Sequence, residues 1–373
     1  MGLSEKKIKI LFKIGFLYHK TAFDPLIDIY EKDRRYDVWL SCREEKEKVL
    51  GIFTHSLEKN ILERFKREGH KVTHSEAGFD VVFSGDTVTN HKELGRTIIC
   101  FINHGSGIKN IMYRNLARDK KTKYQIFVEG EYREKKLYEK NCLGVSKVFT
   151  VGMPKLDALF SDGFNRLKLL ESLKLDKGKK TVLYAPTYKP TSVFELKDAI
   201  FEKTKKYNVI IKLHPYSWNG RYASHKHHSI FEKRVKDFKN VVLLPKEDYS
   251  ILPYLSIADT MLTEASSTMF EFLATGRTGI IYDINSDRLK HSDGMDILDE
   301  DNRNFLKRAF VHFSKPENTE DAIRDALSIN PKREKEKDAA RDRLFCKLDG
   351  NASLRVKEVV ERLLEDGSSR NIP

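Results

Sequence analysis

Short runs rich in Val, Ile, Phe and Tyr alternate with helical patterns along most of this chain, in two series separated by a polar stretch. In the first series Lys9 to Phe16, Tyr36 to Leu40, Asp80 to Phe83, Thr97 to Ile102, Gln125 to Val128 and Lys147 to Val151 read as strands. Between them lie helix-like stretches such as Leu57 to Glu68, with Leu57, Ile61, Leu62 and Phe65 on one face. Strands that alternate with helices are joined by crossovers, so each series predicts a parallel sheet covered by helices. After Gly152-Met153-Pro154-Lys155 and a polar helix near Asn165 to Leu173, the turn Asp176-Lys177-Gly178-Lys179-Lys180 opens the second series. Its expected strands are Thr181 to Tyr184, Val209 to Leu213, Val241 to Leu244, Thr260 to Leu262 and Gly279 to Tyr282. The expected fold is α/β, with two doubly wound Rossmann-like domains at 1–155 and 156–335 and C-terminal helices at 336–373 packing near the junction. Ligands are expected in the cleft between the domains.

A chain of 373 residues is long enough for two hydrophobic cores. Lys and Arg outnumber Asp and Glu by 68 to 55, which favours anionic partners. The basic residues are dispersed, with no Lys/Arg block or RNA-binding signature, so nucleic acid is not the expected partner. Cys42, Cys100, Cys142 and Cys346 lie far apart and form no CxxC pair, as expected of reduced thiols in a cytoplasmic protein. The apolar run Ile8 to Leu17 is short and interrupted by lysines, and reads as a first buried strand rather than a membrane span.

Three turns follow apolar runs and suit an anion. In Thr263-Glu264-Ala265-Ser266-Ser267-Thr268-Met269-Phe270-Glu271-Phe272, a strand ending in small hydroxyl residues passes directly into a helix. Such a start leaves N–H groups, hydroxyls and the positive end of the helix dipole available to phosphate, although the same residues are also common helix caps. Glu264 and Glu271, seven apart, could meet a ribose diol and a leaving group or serve in surface ion pairs. In Lys212-Leu213-His214-Pro215, Pro215 stops a strand, and alternation turns Lys212 and His214 to the same side. In Asn103-His104-Gly105-Ser106-Gly107, His104 sits at the carboxyl end of a strand, where an imidazole can take a proton from an attacking hydroxyl. Thr187, in Ala185-Pro186-Thr187, offers a further hydroxyl.

Two patterns invite other readings. His225, His227 and His228 flank Lys226 and lack a carboxylate at ligand spacing, so they read as a solvated loop rather than a metal site. Ile108, Ile111, Met112 and Leu116 form a stripe beside Lys109, Arg114, Arg118, Lys120 and Lys121. That helix suits its own sheet better than an anionic membrane, though the pattern is compatible with both.

Together, the Asn103-His104-Gly105 turn, Gly152-Met153-Pro154, Ala185-Pro186-Thr187, Lys212-Leu213-His214-Pro215 and Ser266-Ser267 with Phe270-Glu271-Phe272 resemble the CDP-glycerol glycerophosphotransferase family of wall teichoic acid synthesis. The resemblance runs from about residue 97 to 283. It implies a GT-B architecture and peripheral attachment at the cytoplasmic face of the membrane with its anionic surface; charge stabilisation by Lys212, His214 and the Ser266-Ser267 helix start would need no metal, and no cofactor is expected. It also implies transfer of glycerol phosphate from CDP-glycerol to a polyprenyl-diphosphate-linked disaccharide. On this basis His104 is the expected base and His214 its catalytic partner, with Asn103, Gly105 and Ser106 on the acceptor side. Thr187, Lys212, His214, Glu264, Ser266, Ser267, Thr268 and Glu271 are the expected donor-binding set. Gly152 to Asp157 departs from the family pattern, where relatives often carry an aromatic residue, an Arg and an Asn, so CDP-ribitol stays open as the donor. The length suggests a primase, with a short polymerase as the alternative. A GT-B glycosyltransferase, a nucleotide-sugar 2-epimerase and a non-enzymatic scaffold for anionic lipid or polymer are the rival readings.

Overall fold

Both series of apolar runs become parallel sheets of six strands. The structure, a computed structural model, describes residues 6–42, 46–49, 53–88, 94–105, 111–161, 163–218, 227–264, 266–284 and 304–366. The first sheet takes β1 (Ile8–Ile14), β2 (Tyr36–Cys42), β5 (Val81–Ser84), β6 (Ile98–Ile102), β7 (Tyr124–Val128) and β8 (Lys147–Thr150) in the order β2-β1-β5-β6-β7-β8. The second takes β9 (Thr181–Tyr184), β10 (Asn208–Ile211), β11 (Val241–Leu243), β12 (Thr260–Thr263), β13 (Ile280–Tyr282) and β14 (Val311–Phe313) in the order β11-β10-β9-β12-β13-β14. All neighbouring pairs in both sheets are parallel. A short antiparallel pair, β3 (Lys46–Val49) with β4 (Phe53–Ser56), stands apart from them.

A parallel sheet covered on both faces needs strands that are apolar on both sides. The first sheet meets that need by alternation. Ile10, Phe12 and Ile14 enter one core with Val81, Phe83, Ile98 and Cys100, whereas Leu11 enters the other with Val82, Ile99 and Phe101. In the first core Phe12 stacks on Phe83 at 4.8 Å. The helix Leu57–Arg67 adds Leu62 and Phe65 to that core, as its spacing predicts. The helix Ile111–Arg118 buries Met112, Tyr113 and Leu116 against the opposite core, whereas Ile111 of the expected stripe is 45% exposed and Ile108 lies outside the described residues.

The chain divides into two compact units, one of residues 1–104, 111–157 and 344–373, the other of 105–110 and 158–343. The segment expected as one C-terminal layer at 336–373 is therefore shared. The helix Ala352–Asp366 lies on the first unit, where Val356, Val359, Val360 and Leu363 complete the core around Ile10 and Phe12. Its start is fixed by Asp157, whose carboxylate accepts from the backbone N–H of Ala352 at 3.0 Å and of Ser353 at 2.7 Å. These are orphan donors of a helix N-terminus, and an anion there is doubly favourable. Gly152, at φ +94°, lets the chain pass close to this helix, since a Cβ there would lie 3.1 Å from Ala352 Cβ. The Gly152–Asp157 segment thus has a structural task. Asp157→Ala is expected to destabilise the first unit by about 1–2 kcal/mol. The check is denaturant unfolding together with amide exchange, which should quicken along Ala352–Asp366 first.

Candidate functional site

In the second unit β9 lies between β10 and β12, so the chain leaves β9 toward one side of the sheet and later returns to its other side. That reversal is a topological switch point, and loops at the carboxyl ends of the two strands splay apart there. Leu262 pairs with Tyr184, so the segments after β9 and β12 emerge at the same level. Thr263 Oγ1 donates to the Ala185 carbonyl at 2.7 Å.

Glu264 joins the two loops. Its Oε1 accepts from the backbone N–H of Thr187 at 2.8 Å and of Ser192 at 3.1 Å, and its Oε2 accepts from Ser192 Oγ at 2.9 Å. Thr187 Oγ1 lies 3.2 Å from the same carboxylate and donates to the Pro190 carbonyl. Only 1% of Glu264 is exposed, and burial pushes its carboxyl up to about 7 despite the donors from Ser192 and Thr187 that favour the ionised form. Glu264 and Thr187, both expected on the donor, are bonded to each other, and Glu271, also in that set, is 0% exposed. Glu264 acts as a clamp that holds the Thr187–Ser192 loop.

The hydroxyl run just beyond Glu264 remains partly open. Ser266, Ser267 and Thr268 are half-buried at the start of the helix Thr268–Ala274. Ser266 Oγ accepts from Thr268 Oγ1 at 2.8 Å and from its N–H at 3.3 Å, while the Ser267 carbonyl accepts from the Phe270 N–H at 3.1 Å. Ser267 holds the cap position without a side-chain cap bond. Gly105 belongs to the second unit, and a Cβ on it would come 3.1 Å from Ser267 Oγ. A side chain at that position would require Ser267 to give way by a few tenths of an ångström.

Lys212 and His214 follow β10 but have different surroundings. The Lys212 ammonium donates to the Asp248 carbonyl and is 8% exposed; burial pulls its pKa down to about 8, against the attraction of Asp248. His214 caps a short 3₁₀ turn, its Nδ1 accepting from the Tyr216 N–H at 3.2 Å, beside the Tyr188 ring at 4.6 Å. With Nδ1 as acceptor, the neutral ring carries its proton on Nε2, which makes that nitrogen a hydrogen-bond donor.

In the first unit Asn103 and His104 follow β6 and are half-buried. The His104 ring stacks on His19, centroids 3.7 Å apart and 18° from parallel. Sequence reasoning missed His19, which follows β1; its position just past an apolar strand was the available signal. Ser106 lies outside the described residues, as does His225. His227 and His228 are not in a solvated loop. They begin the helix His227–Glu232, where His227 is buried beside Ser217 Oγ and His228 stacks on Trp218 at 4.8 Å. Among the described residues no group of three His, Cys, Asp or Glu is arranged to hold a metal, and no helix is long and apolar enough to cross a membrane.

Two Rossmann-like units of this topology define the GT-B class of folds, and solved structures share it. The wall teichoic acid polymerase TagF aligns with a TM-score of 0.63 at 15% identity, covering 96% of this chain and 89% of that one. A UDP-N-acetylglucosamine 2-epimerase aligns at 0.57 and 16% identity over 99% and 98%. The sequence is more selective than the fold. The chain belongs to the CDP-glycerol:poly(glycerophosphate) glycerophosphotransferase family, whose model matches residues 96–362. A teichoic acid ribitol-phosphate primase of Bacillus spizizenii is 25% identical over 60% of this chain and 55% of its own length. A teichoic acid glycerol-phosphate primase of Bacillus subtilis is 25% identical over 37% of this chain and 33% of its own. The ribitol-phosphate polymerase TarL of Staphylococcus aureus is 26% identical over 36% and 24%. The chain thus spans between 24% and 55% of the length of these relatives.

The clamp carries a pH signature. Because Glu264 binds its proton more tightly folded than unfolded, its contribution to stability is fully present below about 4.5 and is lost as pH rises through about 7. Glu264→Gln keeps the acceptor for Thr187 and Ser192 and removes the titration. Denaturant unfolding between about pH 5 and about 7 should show a falling component of up to about 1.4 kcal/mol per pH unit in the parent chain, absent from the variant.

Proposed function

We propose that the protein transfers glycerol phosphate from CDP-glycerol to a hydroxyl of a lipid-linked saccharide in teichoic-acid-like polymer synthesis, acting as a primase at the membrane surface. The observation that carries this reading is the family match from 96 to 362, which includes the strand-end turns bearing His104, His214, Ser266 and Ser267. His104 takes the proton of the acceptor hydroxyl as its oxygen attacks the phosphorus nearer glycerol. The new O–P bond forms in line with the breaking bond to the bridging oxygen, and CMP departs with that electron pair. The serine hydroxyls and the His214 Nε2–H donate to the diphosphate, where negative charge accumulates. Lys212 adds a positive charge, and Glu264 holds the Thr187 loop beside them. CDP-ribitol is the second donor to consider, because two of the relatives named above are ribitol-phosphate enzymes.

The test presents CDP-glycerol, CDP-ribitol and UDP-sugars to the protein with a soluble lipid-linked acceptor analogue. CMP release from CDP-glycerol, with phosphorus retained on the acceptor, is the expected outcome; UDP release or an epimerised sugar rejects the proposal. His104→Ala should lower kcat by about 10²–10⁴ with the fold intact. Near-normal turnover in that variant would remove His104 as the base.

A further inference from the structure

The environment of His104 points to a second histidine in the reaction. We propose that His19 is a positioning residue that fixes the plane of the His104 imidazole, an inference that rests on His104 being the base. The two residues come from strands that are not neighbours, since β5 lies between β1 and β6. Strands two places apart are separated by about 10 Å, too far for backbone contact but within reach of two facing side chains. The intervening strand ends at Ser84 and continues into Gly85, where a Cβ would come 3.9 Å from His104 Cβ. The strand between them thus presents no side chain next to His104 Cβ.

His19 is itself tightly held. It lies in the 3₁₀ turn Leu17–Ala22, with its N–H donating to the Phe16 carbonyl at 2.8 Å, and is 8% exposed. Phe16 and Tyr18 stand edge-on to its ring at 5.0 and 4.5 Å. The neighbouring Lys20 is buried and anchors the turn through Asp24 at 2.7 Å and Glu68 at 3.5 Å. Gly15 completes the seat, because a Cβ there would lie 2.9 Å from His19 Nδ1. A general base must present one lone pair along the path of the proton, and an imidazole free to rotate does so only part of the time. A flat ring stacked at 3.7 Å removes that freedom.

The role belongs to the flat ring of His19 rather than to its nitrogen atoms, which separates it from direct catalysis. His19→Ala and His19→Gln should lower kcat by about 10–100-fold while KM for CDP-glycerol stays within about twofold. His19→Phe should restore most of the loss. The imidazole Cε1–H resonance of His104 should move when the stacked ring is removed, independently of turnover. Full kcat in His19→Ala, or equal loss in His19→Phe and His19→Gln, overturns the proposal. Failure of the underlying reading looks different: His104→Ala would then retain turnover. An inactive His104→Ala beside a fully active His19→Ala rejects only the role of His19.

Discussion

All strands within each six-stranded sheet run in one direction, and the remaining organisation follows from that constraint. Parallel neighbours require crossovers, crossovers place helices on both faces, and strands covered on both faces must be apolar throughout. Most polar residues then gather at strand ends, with exceptions such as Gln125 inside β7 and His312 inside β14. In each sheet those ends lie along a single edge, so the turns bearing His19 and His104 share an edge of the first sheet. Those bearing Thr187, Lys212, His214 and Glu264 share an edge of the second.

Glu264 shows what it takes to build a rigid loop at such an edge. Burying a carboxylate is costly, and backbone and hydroxyl donors from Thr187 and Ser192 offset only part of the penalty, leaving its pKa near 7. An apolar residue would avoid that penalty but would orphan the Thr187 and Ser192 N–H groups. What the clamp provides is geometry, with the Thr187 loop fixed to the residue that precedes the Ser266-Ser267 turn. On the first unit Asp157 does related work, holding the start of the C-terminal helix and so closing one core.

The legible part of the sequence was the part set by local periodicity. Thr181 to Tyr184 was read with both boundaries correct, and the other main strands fell within a few residues, because an apolar run buried on both faces is visible without its partners. The β3–β4 pair escaped because Lys46-Glu47-Lys48-Val49 lacks an apolar run, and β14 because Val311-His312-Phe313 is too short to show a period. The histidine turn was legible; its stacking partner, 85 positions earlier, was not. Glu264 was singled out from its place beside the serines, but its bond to the Thr187 loop was not legible, since a partner 77 residues away leaves no local trace. Likewise the C-terminal helix shows an apolar face in sequence, while the core it covers is a matter of tertiary packing alone.

Family membership narrows the chemistry; in the proposed reading His104 is the base, and His214, Ser266 and Ser267 stabilise the diphosphate. The most direct measurement of that account uses an acceptor whose attacking hydroxyl carries ¹⁸O, with CDP-glycerol as donor and mass spectrometry of both products. The account predicts the label in the bridging oxygen of a new glycerol phosphodiester, with unlabelled CMP released. Label in a cytidylyl-acceptor product, with free glycerol phosphate released, would place the attack on the other phosphorus and contradict it.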